Sequence, residues 1–518
     1  MDHQHVDEVA LSNPGRLGPK WVRVDTWALA AITTAAAVLR IVRLDDPKVL
    51  VFDETYYAKD ACWYLTSSPT LCGVDVESTL VHPPLGKWLL ALGIRLFGFD
   101  SFGWRISAAV AGTLTVMLLF LLARKLLRST VAASLTAGLL AIDLLHFVES
   151  RIAMLDIFVP LFGVAGLLFL LYDRDMLHTE KSPRSGAARL LGRPWRIAAG
   201  MAAGAAVASK WSGGFFILLL LVLSVVWEIG SRRERQEPHP VLATFRSEGV
   251  PILLWLVLVP SFVYSFTYVG RLHAPIPRYD GTDRECSWED GSWISNLANH
   301  QICMLNFHRT LTSKHAYQSP SWSWLALKRP VSYYYEPAPN GDYQEILATG
   351  SPFVWWTSIL ALLAVAARWF RRRSPWGPEG TILAGFLFTY APWLGAGLLS
   401  DRSAVFLFYL LPTIPFLYLA LGHVASHLGR SWEAKAAVGL FSAAAIASFV
   451  FYYPLLTKLP LSPPDWDKRI WIFDNCDKPP GDPTTSLITE TLGKRTTMRT
   501  TFTTGTSQDV PPSGWCWI

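Results

Sequence analysis

The sequence predicts an all-α polytopic membrane protein of about eleven transmembrane helices. Three observations lead there. The 518 residues are 51% hydrophobic and only 17% charged, and a mean hydropathy of +0.28 is too apolar for a soluble chain of this length. Apolar runs close to the ~20 residues needed to cross a bilayer recur from end to end. Lys and Arg gather in alternate connections between those runs.

The expected spans are 26–43, 104–123, 129–148, 152–171, 195–210, 213–230, 250–270, 353–370, 381–399, 404–422 and 433–453. Residues 1–25 are expected to be a polar, disordered cytoplasmic segment, with no cleavable signal between it and the first span. Residues 26–453 form the transmembrane domain, with outer loops 44–103 and 271–350, and 454–518 is an outer tail. Arg16, Lys20 and Arg23, then RKLLR, the Arg-rich stretch 174–196, RRER and RRR mark the inner side. The short loops on the other side each hold one basic residue: Arg151, Lys210 and Arg402. Segment 44–103 has several basic residues and does not follow the rule, which is weak for long loops. Within it, PPLGKWLLALGIRLFG is too short and interrupted to span and is expected to lie along the interface, with Trp88 near the head groups.

Cysteine placement agrees with this topology. Cys62, Cys72, Cys286, Cys303, Cys476 and Cys516 all fall in segments assigned to the outer side, which suggests disulfides in an oxidising compartment. Six cysteines leave about 15 pairings open; the local set Cys62–Cys72, Cys286–Cys303 and Cys476–Cys516 is the simplest. The net charge of +6 sits largely in the inner loops, facing anionic head groups rather than nucleic acid.

Polar residues accumulate at the outer ends of spans. Asp53 and Glu54 stand in VFDETYYAKDA, followed by HPPLGKW with His82 and Lys87. ESRIAMLD carries Glu149 and Arg151 in a turn and Asp156 about one helical turn into the next span. SKWSGG supplies Lys210 and Trp211, and LSDRSA supplies Arg402. Taken singly, each cation is an ordinary snorkelling residue. Three cations, each alone in a sparse loop, point to an anion site. A sugar leaving a lipid phosphate needs its anion neutralised, and the attacking hydroxyl needs one base. A glycosidase would need two carboxyl groups in complementary roles, and a nucleotide-sugar donor would call for a phosphate-binding loop that the GK of HPPLGKW does not make.

FDETYYAKDA, HPPLGKW, ESRIAMLD, SKWSG, HAYQSPSWSWLALKRPVSYYY and DRSAVFLFYLLPTIPF together resemble the bacterial protein O-mannosyltransferases, in order over about positions 50–420. The resemblance implies a GT-C glycosyltransferase fold of about eleven spans, with the active site in an outward-facing cavity. It implies a polyprenyl-phosphate mannose donor and acceptors that are Ser or Thr of proteins being translocated; a single displacement by an acceptor hydroxyl activated by Asp53 is expected to invert the sugar. Asp53 matches the catalytic carboxylate and Glu54 its neighbour that helps hold the acceptor. Arg151 and Lys210 match basic residues near the donor phosphate; Arg402, expected to join them as a phosphate ligand, heads the motif of a late span; and His82, Lys87, Glu149, Asp156 and Trp211 stand in supporting motifs. The chain departs from the pattern at FLFYLLP, where Tyr409 replaces a His found in many relatives. The loop 271–350 is too short for the sugar-binding-type domain of eukaryotic members, which favours a bacterial plasma-membrane enzyme with active site and C-terminus extracytoplasmic.

Trp322, Trp324 and Tyr333 in the aromatic loop read either as an ordinary interfacial belt or as a platform for the acceptor. Asp53, Glu54 and Asp156 could hold a divalent cation if they converge, although the resemblance implies that no metal or other cofactor is required. The rival reading is a GT-C transferase that moves another lipid-phosphate sugar to lipid A or a wall glycan.

Overall fold

The computed structural model describes residues 21–74, 81–179, 192–269, 292–311, 315, 317–372, 377–399, 405–429 and 431–470, with strands 484–492 and 495–503. The expected helical character holds for most of the described residues, and two β-hairpins are added to it. The chain runs through α1 (Arg23–Ile41), α2 (Glu54–Thr66), α3 (Pro69–Cys72), α4 (Pro84–Phe97), α5 (Ser101–Leu127), α6 (Thr130–Ala141), α7 (Leu144–Glu149) and α8 (Phe158–Thr179). It continues through α9 (Pro194–Ser209), α10 (Gly214–Glu234), α11 (Pro240–Phe266) and α12 (Trp293–Thr310). A hairpin of β1 (Val331–Pro337) and β2 (Tyr343–Ala348) follows, then α13 (Pro352–Arg372), α14 (Pro378–Leu399), α15 (Ile414–His427), α16 (Trp432–Leu456), α17 (Pro463–Ile470) and a second hairpin, β3 (Thr484–Leu492) and β4 (Arg495–Thr503).

Each expected span contains helix, but they are not eleven uniform crossings. Among the described residues six helices are long and apolar enough to cross a membrane: α1, α5, α10 with its preceding turn, α11, α13 and α16. The 129–148 run breaks at Ile142–Asp143, because the Asp143 carboxylate caps α7 by accepting from the His146 N–H at 2.7 Å. The same carboxylate also accepts from the Trp355 indole at 2.8 Å and from the Tyr418 hydroxyl, which ties α7 to α13 and α15. The 404–422 run opens as a short 3-10 turn at Leu407–Leu410 before α15 begins.

The next difference bears on chemistry. The run 152–171 becomes regular helix only at Phe158, so Asp156 sits in an irregular turn ahead of α8 rather than inside it. A carboxylate in such a turn can face a site instead of being locked into one helical direction.

PPLGKWLLALGIRLFG does form a helix, α4, and it lies against α5. At Gly93 an added Cβ would meet the Gly103 carbonyl oxygen at 2.5 Å, so the two backbones approach closely. Ser107 Oγ donates to the Leu89 carbonyl at 2.5 Å across the same contact. In the loop 271–350, β1 and β2 pair antiparallel with an irregularity between Ser332 and Tyr334, at Tyr333.

Candidate active site

Phe52 holds the turn that presents the acidic pair. Its backbone is left-handed, with φ 48°, a costly state for an aromatic residue that surrounding contacts must maintain. Its ring packs on Tyr333, with centroids 4.8 Å apart, and edge-on to His315, Phe406 and Phe408. The two carboxylates that follow meet different fates.

Glu54 is fully buried and saturated. Its oxygens accept from Arg105 Nε and Nη2, each at 2.8 Å, from the Ala153 N–H at 2.8 Å and from the Val51 N–H at 3.0 Å. Arg105 spends its remaining donors on the carbonyls of Leu44, Pro47 and Val49. With four donors already engaged, Glu54 has no acceptor capacity left over for the role the resemblance implied; it fastens the loop that carries Asp53 to α5 and to the turn 150–157.

Asp53 is half-buried and lightly engaged, receiving the Tyr57 hydroxyl at 3.2 Å. Burial pushes its carboxyl up to about 6, aided by the nearby Asp156 charge and opposed by Lys210 and Tyr57. That is a strong base for a carboxylate, and still mostly ionised at neutral pH.

Lys210 ends α9 in extended backbone, with φ −158° and ψ 141°. Its ammonium lies 2.9 and 2.7 Å from the two Asp156 oxygens and 4.6 Å above the Tyr409 ring. Tyr409, where relatives were expected to carry His, therefore supplies a π face to the cation. Glu149 completes the group. Its Oε1 accepts from the Tyr333 hydroxyl, while its buried Oε2 has no hydrogen-bond partner among the described residues. Burial, reinforced by Asp156, holds the Glu149 carboxyl well above the usual range. Three carboxyl groups thus surround one ammonium.

Arg151 lies elsewhere. Its Nη1 donates to the carbonyls of Leu39, Arg40 and Val42 at 3.0, 2.9 and 2.7 Å, and its Nη2 to that of Arg43 at 2.9 Å. These are open carbonyls of the last turn of α1 and of the two residues just past it, so the donors of Arg151 are spent on capping this helix end, where a phosphate contact was expected. Lys87 pairs with Asp60 at 3.1 Å, both side chains fully buried, and joins α4 to α2. Trp211 donates its indole N–H to the Tyr264 hydroxyl at 2.8 Å. His82 has its ring 5.7 Å from Tyr57 and 5.6 Å from His308, and His308 is 5.7 Å from Trp211. The sequence offered no signal for His308.

The aromatic loop divides. Trp324 is fully buried, donating to the Ser319 carbonyl at 3.1 Å, so it is a core residue and not an acceptor platform. Trp322 is 64% exposed, with the Lys328 ammonium 5.4 Å from its ring centroid. Tyr333 turns into the acidic group. Cys62–Cys72 is a disulfide and Cys303 is disulfide-bonded; Cys286, Cys476, Cys516 and Arg402 lie outside the described residues. Among the described residues no group of three or more His, Cys, Asp and Glu is arranged to hold a metal, since Glu54 turns to Arg105 and Asp156 to Lys210.

The family model for dolichyl-phosphate-mannose–protein mannosyltransferase matches residues 30–104 and 100–268, and that for the C-terminal four-span region of protein O-mannosyltransferase matches 293–474. The chain belongs to this family. Among its relatives is the polyprenol-phosphate-mannose–protein mannosyltransferase of Mycolicibacterium smegmatis (strain MKD8), 32% identical over 87% of this chain and 93% of that protein. The Mycobacterium tuberculosis (strain CDC 1551 / Oshkosh) protein of the same name is 30% identical, over 86% and 90% respectively. The Saccharomyces cerevisiae protein O-mannosyltransferase Pmt1–Pmt2 complex, solved with its sugar donor bound, aligns with a TM-score of 0.70 at 17% identity, over 89% of this chain and 94% of that one. The protein mannosyltransferase family thus gives this chain both its class, a glycosyltransferase, and its GT-C fold.

Proposed function

We propose that this chain transfers mannose from polyprenyl-phosphate mannose to Ser or Thr hydroxyls of secreted or membrane proteins, on the outer face of a bacterial plasma membrane. The carrying observation is Asp53, a half-buried carboxylate whose proton affinity is raised to about 6 beside Lys210. The acceptor hydroxyl loses its proton to Asp53 as its oxygen attacks the sugar carbon, and the lipid phosphate departs with the bonding electrons. One displacement inverts the sugar. The phosphate leaves as a stable anion, so a base is needed and an acid is not. Lys210 is the described cation nearest to this chemistry, and Arg402 is the second phosphate ligand in this reading. No metal or other cofactor is required.

The basic inner loops and the Cys62–Cys72 disulfide support a cytoplasmic N-terminus with site and C-terminus outside. Trp322 offers an exposed aromatic face to an acceptor chain. The test is incubation of purified protein with labelled polyprenyl-phosphate mannose and a Ser/Thr-rich peptide, with the anomeric configuration of the product determined. A peptide O-mannoside of inverted configuration is expected. Label that passes only to a lipid or glycan acceptor, or retained configuration, refutes the reading.

A further inference from the structure

We propose that the Tyr409 hydroxyl binds the leaving phosphate of the sugar donor beside Lys210, as an uncharged hydrogen-bond donor; this deepens, and rests on, the transfer reaction proposed above. Tyr409 belongs to the short 3-10 turn Leu407–Leu410 that precedes α15. A tyrosine hydroxyl inside a protein normally finds a partner. Tyr409 is 7% exposed, yet its hydroxyl bonds to none of the described residues and is not sealed in by them. A group that is recessed, unpartnered and still reachable is placed for a ligand.

Its surroundings say which ligand. The Lys210 ammonium lies 4.6 Å from the Tyr409 ring centroid. The hydroxyl is within electrostatic reach of that ammonium and of the Tyr57 hydroxyl, which donates to Asp53 at 3.2 Å. Tyr409 therefore stands with both the cation and the base. On its other sides the ring is fixed. Trp393 of α14 packs on it with centroids 4.7 Å apart, and Trp324, Phe406 and Phe408 meet it edge-on at 6.2, 6.0 and 5.1 Å. Trp324 is anchored in turn, its indole N–H shared between the Ser319 carbonyl and Oγ at 3.1 and 3.0 Å. The buried Trp324 thus serves the site as a buttress. Packing alone would be satisfied by Phe at position 409. The hydroxyl is what packing leaves unexplained.

The chemistry supplies a use for it. Both Asp156 oxygens hold the Lys210 ammonium, at 2.9 and 2.7 Å, which offsets its charge and occupies part of its donor capacity. In the transfer step the acceptor oxygen bonds to the anomeric carbon, and the bond from that carbon to the phosphate oxygen breaks. The electron pair leaves on the phosphate, and the acceptor proton passes to Asp53. The phosphate gains one negative charge as it departs. A hydroxyl aimed at it strengthens its hydrogen bond as that charge grows. Tyr409 keeps its proton throughout.

The test uses the full chain, purified in detergent, with labelled polyprenyl-phosphate mannose and a Ser/Thr-rich peptide. Tyr409→Phe keeps the ring, its contact with Trp393 and its face toward Lys210, and removes the hydroxyl alone. Thermal unfolding should match the parent, because the hydroxyl has no partner in the protein to lose. The kcat should fall by about 10²-fold, with the donor KM little changed. Polyprenyl phosphate, the product that carries the extra charge, should lose more affinity for the variant than the donor does. Tyr409→His, which puts back a ring N–H, should recover part of the lost turnover. Equal kcat in the parent and Tyr409→Phe overturns the inference, as does a loss of turnover that tracks a loss of thermal stability. A rise in donor KM with product affinity unchanged overturns it too. If the parent makes no peptide mannoside, the Ser/Thr reading falls instead, and polyprenyl phosphate affinity in parent and variant still decides the role of Tyr409.

Discussion

Replacing Glu54 with Gln separates a residue that does chemistry from one that holds the loop. Gln keeps the shape and removes the charge. In the native site four donors converge on the carboxylate: two from Arg105 and one each from the Val51 and Ala153 backbones. Gln accepts at one oxygen only, and its NH2 group faces donors where an acceptor stood. Arg105, 1% exposed, is left as a buried charge without its counter-ion. Breaking one side of a buried pair costs about 3–5 kcal/mol, and here the loss falls on the turn that holds Phe52 in its left-handed state. Thermal unfolding in detergent, followed by ligand-independent fluorescence, should show Glu54→Gln clearly destabilised and Asp53→Asn close to the parent. Turnover of Glu54→Gln should recover in part on cooling or with saturating donor, because both favour the ordered loop. A Glu54→Gln protein as stable as the parent, yet as inactive as Asp53→Asn, would mean that Glu54 takes part in proton transfer and that the buried-anchor account is wrong.

Asp53→Asn should lower turnover by about 10²–10⁴-fold while donor binding, measured directly, persists. With Asp53 at about 6, the rate of the parent should be flat above neutrality and fall about tenfold per pH unit below that value, because only the ionised carboxylate accepts a proton; a rate that rises on acidification would contradict it. Lys210 lowers the proton affinity of Asp53, so Lys210→Met should move the midpoint of this profile upward and weaken donor use by about 2–5 kcal/mol, and an unmoved midpoint would separate the two groups. Arg151→Ala should reduce stability by about 1–3 kcal/mol for each α1 carbonyl left without a donor, with the donor KM unchanged in the fraction that folds; a selective rise in donor KM would return Arg151 to the phosphate.

Helix positions were legible in the sequence because apolar run length is a local property, and α1, α5, α10, α13 and α16 stand where the runs do. Asp53 and Lys210 were legible as site candidates because a charge at the end of a span is costly without a purpose. Glu54 and Arg151 carried the same signal, but their structural partners were not legible, since burial and charge do not say who the partner is. Glu54 finds Arg105 at 51 positions along the chain, and Arg151 finds carbonyls in and just past the last turn of α1 at 108 to 112. The bent run at Asp143 was hidden for a related reason: the carboxylate that breaks the helix is compensated by Trp355 and Tyr418, both more than 200 positions away.

The sequence by itself determined that the chain is helical and membrane-embedded, which family's motifs it carries, and that its polar residues collect at one end of the spans. The tertiary structure alone decided which of those polar residues are free to act. Hydropathy and spacing act over a few residues, whereas the hydrogen-bonding capacity of a carboxylate or guanidinium is settled by whichever donors and acceptors the packed helices bring within 3 Å. Glu54 and Arg151 are saturated by that packing, and Asp53 is left with a single hydroxyl donor and a raised proton affinity.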